Sequence, residues 1–201
     1  DFRSGYYRDQ TFMMAIDSLT PQQSFAGLYA HTDPIQEPMS SGRQMGGHYN
    51  TDLIDDNGSW LSQTDRYNSS SDVSCTASQM PRLVGLAMAS KLYRTVEVFN
   101  DTKFSINGNE VAWGTIGNAS TSEGLFFESL NAAGVHQVPM VISVWDDEYG
   151  ISVDNSFQTI KGSISEALAG FKRTKTKPGF EIFKVKGWDY PNLIHTFQKA
   201  G

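Results

Sequence analysis

The chain carries a single cysteine, Cys75, in 201 residues. No internal disulfide framework can therefore hold it, and a reducing compartment such as the cytoplasm suits it. It has no surplus of positive charge: 16 Lys and Arg face 22 Asp and Glu, for a net charge of −6. That balance argues against nucleic acid or an anionic membrane as the main partner. An anionic small ligand would need a local focus of donors, for which Arg8, Arg43 and backbone amides are the candidates. No apolar run approaches the length of a membrane span, and no signal-peptide pattern is present. Asp1 opens the chain in place of Met and Gly201 ends it abruptly, so we expect a piece of a longer protein.

What is present suffices for a core: 39% of residues are hydrophobic and 12% aromatic. The length fits one domain over 1–201. Arg8 to Tyr29 reads as two short helices, the second capped by Thr20 with Pro21 at its first position. His31 to Ser71 is polar and aperiodic, and Tyr67–Asp72 reads as a flexible, exposed run. Ser78–Tyr93 is a strongly periodic helix. Val96–Phe99 and Phe104–Ile106 suggest a hairpin through residues 100–103, and Asn107-Gly108-Asn109 a second turn. Beyond it come a strand at Val111–Ile116, a helix at Ser122–Val135 and a strand at Val138–Trp145. A helix at Ser163–Phe171, a strand at Glu181–Val185 and a helix at Pro191–Gln198 capped by Asp189 complete the order. The alternation predicts an α/β fold, a three-layer α/β/α sandwich around a mostly parallel, doubly wound sheet.

The densest chemistry lies between Trp113 and Gly150. An apolar strand enters a glycine turn at Gly117-Asn118-Ala119, a helix follows, and the next strand ends in Asp146-Asp147. Asn118 and Asp147 thus fall at the carboxyl ends of neighbouring parallel strands, where phosphates and their metals bind in open α/β sheets. Amide, carboxylate and helix N-terminus together suit a diphosphate carried on a divalent cation.

Gly117-Asn118-Ala119 with Asp146-Asp147 resembles the thiamine-diphosphate signature, Gly-Asp-Gly followed at a distance by Asn-Asn; Asn118 and Asp147 are 29 positions apart. Gly5-Tyr-Tyr-Arg-Asp-Gln10, Gly42-Arg-Gln-Met-Gly-Gly-His-Tyr49, Ala77-Ser-Gln-Met-Pro-Arg-Leu-Val-Gly85 and Ser122-Glu-Gly124 are in the same order as in one family. So are Glu148-Tyr-Gly-Ile-Ser152 and Phe183-Lys-Val-Lys-Gly-Trp-Asp189. From about Tyr6 to Lys199 the chain resembles the α-subunit of the decarboxylating component of 2-oxo acid dehydrogenase complexes, the branched-chain (2-oxoisovalerate) type best. The resemblance implies the thiamine-diphosphate-binding fold. It also implies oxidative decarboxylation of a 2-oxo acid, with transfer of the acyl group to a lipoyl domain.

The same resemblance assigns roles. Tyr7 and Arg8 match the pair that holds the cofactor diphosphate, a task that suits a guanidinium fork. Ser74 and Thr76 fall where the family's backbone holds the aminopyrimidine. Apart from the resemblance, His48 on its Gly-rich loop is a candidate for a catalytic or ligand-contacting role, with a surface histidine as the alternative. Gly117, Ala119 and Ser120 border the diphosphate, the last two through backbone amides. Asn118, Asp147 and the Tyr149 carbonyl match the Mg2+ ligands, and Ser78 and Gln79 a structural K+ position of some relatives. A β-type pyrimidine-binding domain or subunit and a lipoyl acyltransferase are the implied partners, in a homo- or hetero-oligomer. The glutamate that activates the aminopyrimidine belongs to that second domain, so this piece should not turn over alone.

Several positions depart from the pattern. The family's metal-binding acid is Asn118 here and its ligand asparagine is Asp147, as if one carboxylate had crossed the site. Thr76 replaces a larger apolar wedge, and Trp145 stands where branched-chain enzymes present an arginine. Two other readings stay open: a non-catalytic module that has lost its metal, or another thiamine enzyme of transketolase type. We read Cys75 as a small packed residue, and His31, His136 and His195 as structural or exposed. Glu123 is read as organising a turn and Lys172–Lys177 as a solvated face.

Overall fold

The computed structural model describes residues 1–44, 46–99 and 103–201. In chain order the elements are β1 (Phe2–Ser4), α1 (Gln10–Ala15), α2 (Pro21–Leu28), β2 (Asn68–Ser69), α3 (Gln79–Thr95) and β3 (Ala112–Gly117). They continue with α4 (Gly124–His136), β4 (Met140–Trp145), β5 (Tyr149–Gly150), β6 (Val153–Asp154), α5 (Ile164–Ala167) and α6 (Tyr190–Ala200).

The main sheet has the order β2-β1-β3-β4, and every pairing in it is parallel. From β1 the chain moves outward to β2, then returns to the other side of β1 for β3. The winding direction reverses there, so the gap between the carboxyl ends of β1 and β3 is a topological switch point. β5 and β6 form a separate antiparallel pair.

Alternation along β3 divides the layers. Ile116 packs with Met80, Phe126 and Leu130, and Ala112 packs with Leu83 and Ala87, so α3 and α4 cover one face. On the opposite face Trp113 meets Phe197 of α6 at 6.2 Å, and Thr115 donates to Asp9 at the head of α1. This is the expected three-layer α/β arrangement. A third cluster of Met13, Leu19 and Tyr49 holds α1 against the loop that follows α2.

Local signals set most boundaries. Thr20 accepts from the Gln23 amide at 3.2 Å while the Gln23 side chain accepts from the Thr20 amide at 2.9 Å, a reciprocal cap with Pro21 at the first helical position. Asp189 caps α6 through the Asn192 amide at 3.3 Å. Gly108, at φ +67, makes the turn before β3.

Five expectations are corrected. Glu97–Phe99 is a 3-10 turn, not the first arm of a hairpin: Val96 N–H bonds back to Leu92 and Phe99 packs edge-on to Tyr93 at 5.8 Å. The hairpin's connecting residues 100–102 lie outside the described residues. Residues 181–185 form no strand, because no neighbouring strand offers them a ladder; only Lys172 and Phe180 share an isolated bridge just before them. Tyr67–Asp72 is not wholly exposed, since Asn68, Ser69 and Asp72 are buried as β2 and its exit pair with β1 and Arg3. Cys75 is exposed, not packed. The helix expected directly after Gly117 begins at Gly124, and a 3-10 turn, Ala119–Ser122, precedes it.

Candidate functional site

Three strand exits meet at the switch point. β1 leads into Tyr6-Tyr7-Arg8, β3 into Asn118, and β4 into Asp146-Asp147. The β3–β4 register, Gly117 opposite Trp145, is carried one residue further by Asn118 N–H donating to the Trp145 carbonyl at 3.1 Å. Tyr6 lies across these ends: its ring meets Trp145 at 6.2 Å and Tyr7 at 5.5 Å, both edge-on. Burial raises the Tyr6 phenol above its ordinary value; Asp9, Tyr7 and Asp147 push the same way and Arg8 opposes them. Tyr7, Arg8, Asn118 and Asp147 therefore follow the carboxyl ends of three neighbouring strands.

Asn118 is 3% exposed, and its side-chain nitrogen is buried without a hydrogen-bond partner. A buried donor left unpaired costs about 1–3 kcal/mol, so such an orphan asks for a ligand. The orientation of a carboxamide is an assignment, so this group can turn an N–H to a phosphate oxygen or an oxygen to a cation. Asp147 is exposed and accepts from the Tyr149 amide at 3.2 Å through one oxygen, which leaves the other directed to solvent or ligand. Glu148, at φ +69, makes the bend that separates Asp147 from β5. Among the described residues no group of three His, Cys, Asp or Glu could hold a metal. A set of one amide, one carboxylate and one backbone carbonyl is nonetheless all hard oxygen, the donor chemistry that Mg2+ takes together with water.

Arg8 is exposed and makes no ion pair among the described residues; its guanidinium stacks 5.6 Å from the Tyr7 ring, which is 45% exposed. Ala119 and Ser120 open the 3-10 turn after Asn118, whose first amides lack an internal acceptor. Gly150 comes up against this turn, since a Cβ there would lie 2.7 Å from that of Ala119.

A second group gathers on the loops around 48 and 74. His48 Nε2 lies 2.5 Å from Ser74 Oγ, while Nδ1 is buried and unpartnered. A cavity of about 260 Å³ adjoins it, lined by Arg43, Gln44, His48 and Asp72 among others. Ser74 and Thr76 are exposed, and Ala77 between Thr76 and α3 takes φ +63. The Gln79 carboxamide donates to the Thr115 carbonyl at 3.0 Å, so its nitrogen is committed within the fold.

Sequence reasoning missed Tyr6, whose ring bridges the strand ends, and the buried Arg3–Asp9–Asp72 cluster below them. The tyrosine pair at 6 and 7 was the available signal for the first. Nothing local announced the second, because Arg3 and Asp72 are 69 positions apart.

The family described as "Dehydrogenase E1 component" matches residues 1–175. The 2-oxoisovalerate dehydrogenase subunit alpha of Bacillus subtilis (strain 168) is 26% identical over 171 residues, covering 85% of this chain and 43% of that protein. The pyruvate dehydrogenase E1 component subunit alpha of Acholeplasma laidlawii is 36% identical over 92 residues, 46% of this chain and 22% of that protein. The chain thus spans less than half the length of these curated relatives.

Proposed function

We propose a function from one premise: the chain belongs to the dehydrogenase E1 component family. Its helices and parallel sheet are those of the family's α/β thiamine-diphosphate-binding fold. Within that frame we infer that this chain is the diphosphate-binding part of a thiamine-dependent 2-oxo acid dehydrogenase. It would act with a β-type pyrimidine-binding partner and pass the acyl group to a lipoyl acyltransferase. The branched-chain relative covers more of the chain than the pyruvate one, which favours a 2-oxoisovalerate-like substrate. No helix among the described residues is long and apolar enough to cross a membrane, and the single cysteine is free, in keeping with a cytoplasmic setting.

The observation that supports the reading is the meeting of three strand exits at the switch point. The Asn118 amide that lacks a hydrogen-bond partner, the exposed Asp147 carboxylate and the exposed Arg8 guanidinium follow these three exits. When bound, thiamine diphosphate supplies the nucleophilic carbon and the electron sink for decarboxylation. The chain's own residues bind and orient. Arg8 and Tyr7 would grip the terminal phosphate, and the Ala119 and Ser120 amides would complete its donors. Asn118, Asp147 and the Tyr149 carbonyl would hold Mg2+ between the strand ends. His48, tied to Ser74, would act near the reacting end as a proton donor or acceptor. The committed Gln79 nitrogen leaves its oxygen and Ser78 as the donors for a K+ ion.

The test is thiamine diphosphate titration of the full-length assembly, read by Trp145 fluorescence, with Mg2+ or with chelator. Binding should require Mg2+, and Asp147→Asn should abolish it. Binding that survives both chelator and Asp147→Asn would sink the ligand assignment and leave a module without metal.

A further inference from the structure

A buried ion cluster lies directly beneath the two halves of the site and touches both. Arg3 in β1 is 3% exposed and Asp9 0%. Arg3 Nε donates to Asp9 Oδ2 at 2.8 Å, and Nη2 pairs with the same oxygen. The far edge of the guanidinium reaches Asp72, with Nη1 3.1 Å from Oδ1 and Nη2 donating to Oδ2 at 3.3 Å. Nη1 also donates to Ser69 Oγ at 2.6 Å, which fixes the plane of the fork on β2.

Each carboxylate holds a different segment of the site. Asp9 follows Tyr7-Arg8 directly, and its amide donates to the Tyr6 carbonyl at 3.1 Å while Oδ2 accepts from the Tyr6 amide at 3.4 Å. The turn that presents Tyr7 and Arg8 is therefore closed on Asp9. Asp72 accepts from the Tyr49 amide at 3.2 Å and donates its own amide to the Tyr49 carbonyl at 3.1 Å. Tyr49 is the neighbour of His48, and Ser74 comes two residues after Asp72. Gly5 completes the close fit, since a Cβ there would lie 2.0 Å from Asp9 Oδ2 and 2.3 Å from Arg3 Nη2.

We propose that Arg3 is a positioning residue that couples the Tyr7–Arg8 turn to the His48–Ser74 loop, so that the two ends of the site are set together. This rests on the reading above that these segments hold opposite ends of one ligand. Buried ion clusters contribute little net stability compared with apolar packing, so stability alone is a weak reason for this one. A guanidinium can address two carboxylates along two edges at a fixed angle, which an ammonium cannot. One planar group thereby fixes two loops that the chain itself does not connect locally.

Amide hydrogen exchange in the full-length protein tests the coupling without any ligand. Asp9→Asn should speed exchange of the far-end Tyr49 amide, and Asp72→Asn that of the Asp9 amide, each by about tenfold beyond any change at Ala87 in α3. Arg3→Lys, which keeps the charge and loses the fork, should loosen both ends. Far-end amides that stay within about twofold of the Ala87 change would overturn the proposal. Should Asp9→Asn not fold, Asp72→Asn and Arg3→Lys still decide it. A second readout is a cycle of Arg8→Met and Ser74→Ala on thiamine diphosphate affinity. The losses should be non-additive in the native chain and additive with Arg3→Lys; equal coupling in both backgrounds counts against the proposal. Coupled exchange without cofactor binding would defeat the functional reading alone, and cofactor binding with strictly local exchange would defeat this inference alone.

Discussion

The amide of Asn118 donates to the carbonyl of Trp145 at 3.1 Å, which extends the β3–β4 ladder one residue past the end of β3. That bond holds the backbone at 118 in register with the exit of β4, so the Asn118 side chain and the Asp146-Asp147 pair must emerge at adjacent strand ends. On the proposed reading, moving the carboxylate from one position to the other would keep it at the same pair of strand ends.

This geometry predicts the outcome of moving it back. Asn118→Asp in the native chain adds a second carboxylate and should tighten Mg2+ while opposing the diphosphate, leaving net cofactor affinity little changed. Asp147→Asn alone removes the only charge in the proposed Mg2+ donor set and should lose binding. The double change Asn118→Asp, Asp147→Asn should recover most of the loss, to within about tenfold of the native chain. Calorimetric titration with Mg2+ held constant checks all three, and a double variant as weak as Asp147→Asn would show that the positions are not equivalent.

The loop before the second site group predicts an acid-sensitive segment. Glu37 is 1% exposed; burial would raise its carboxyl, but donors from Gly42, Ser40 and Met39 outweigh it and hold it below the usual range. A depressed carboxylate stabilises the fold above its unfolded value, and that contribution is lost as pH falls through the folded one. Glu37→Gln should flatten the decline of stability on the acid side and cost about 1–3 kcal/mol at neutral pH. Gly42, at φ +75 with a virtual Cβ 2.5 Å from the Ala30 carbonyl, closes the same loop. Gly42→Ala should cost at least as much, measured by urea denaturation at pH 7.

Tyr49 predicts the opposite slope at the alkaline end. Burial pushes its phenol up to about 12, with Asp72 and Asp9 adding and Arg3 opposing. The folded chain keeps that proton where the unfolded chain loses it, so the contribution is full below the ordinary tyrosine range and lost as pH rises through about 12. Tyr49→Phe should reduce the alkaline loss of stability. A thermal-denaturation series on both proteins from neutral to alkaline pH measures it, and parallel curves would mean that Tyr49 does not titrate abnormally.

How much of this was legible in the chain depends on the range of the forces involved. The long helix α3 was plain because Met80, Leu83 and Ala87 repeat on one face and are all fully buried. The caps at Thr20 and Asp189 were readable because each acts on an amide three residues away. β3 and β4 showed as apolar runs because their inner faces pack under α3 and α4. β1 and β2 were invisible: Phe2–Ser4 and Asn68–Ser69 are short, and what they bury is Arg3, Ser4, Asn68 and Ser69. Their burial depends on partners more than sixty positions away, which no local pattern reveals. The reversal of winding at β1 was for that reason out of reach. The strand ends that carry Asn118 and Asp147 were legible because strand and turn are local features; the Arg3 cluster was not. At Val96–Phe99 β-branched and aromatic residues favoured a strand, but Val98 remains 79% exposed and the Tyr93 contact folds the segment back on α3.

Arg8 separates function from stability most cleanly. Among the described residues its guanidinium makes no ion pair and lies over the Tyr7 ring, and exposed cation–π contacts contribute about 0.5–1 kcal/mol. Arg8→Met should therefore leave the unfolding midpoint almost where it was. Against a diphosphate the same side chain would supply a charge-assisted, bidentate contact, whose loss should weaken thiamine diphosphate by about tenfold or more. Thiamine, which lacks the diphosphate, should bind the native and Arg8→Met proteins equally. Competition between the two ligands in the full-length assembly measures both effects at once. An equal fall for thiamine and for thiamine diphosphate would place Arg8 away from the phosphate end and remove the β1 exit from the site.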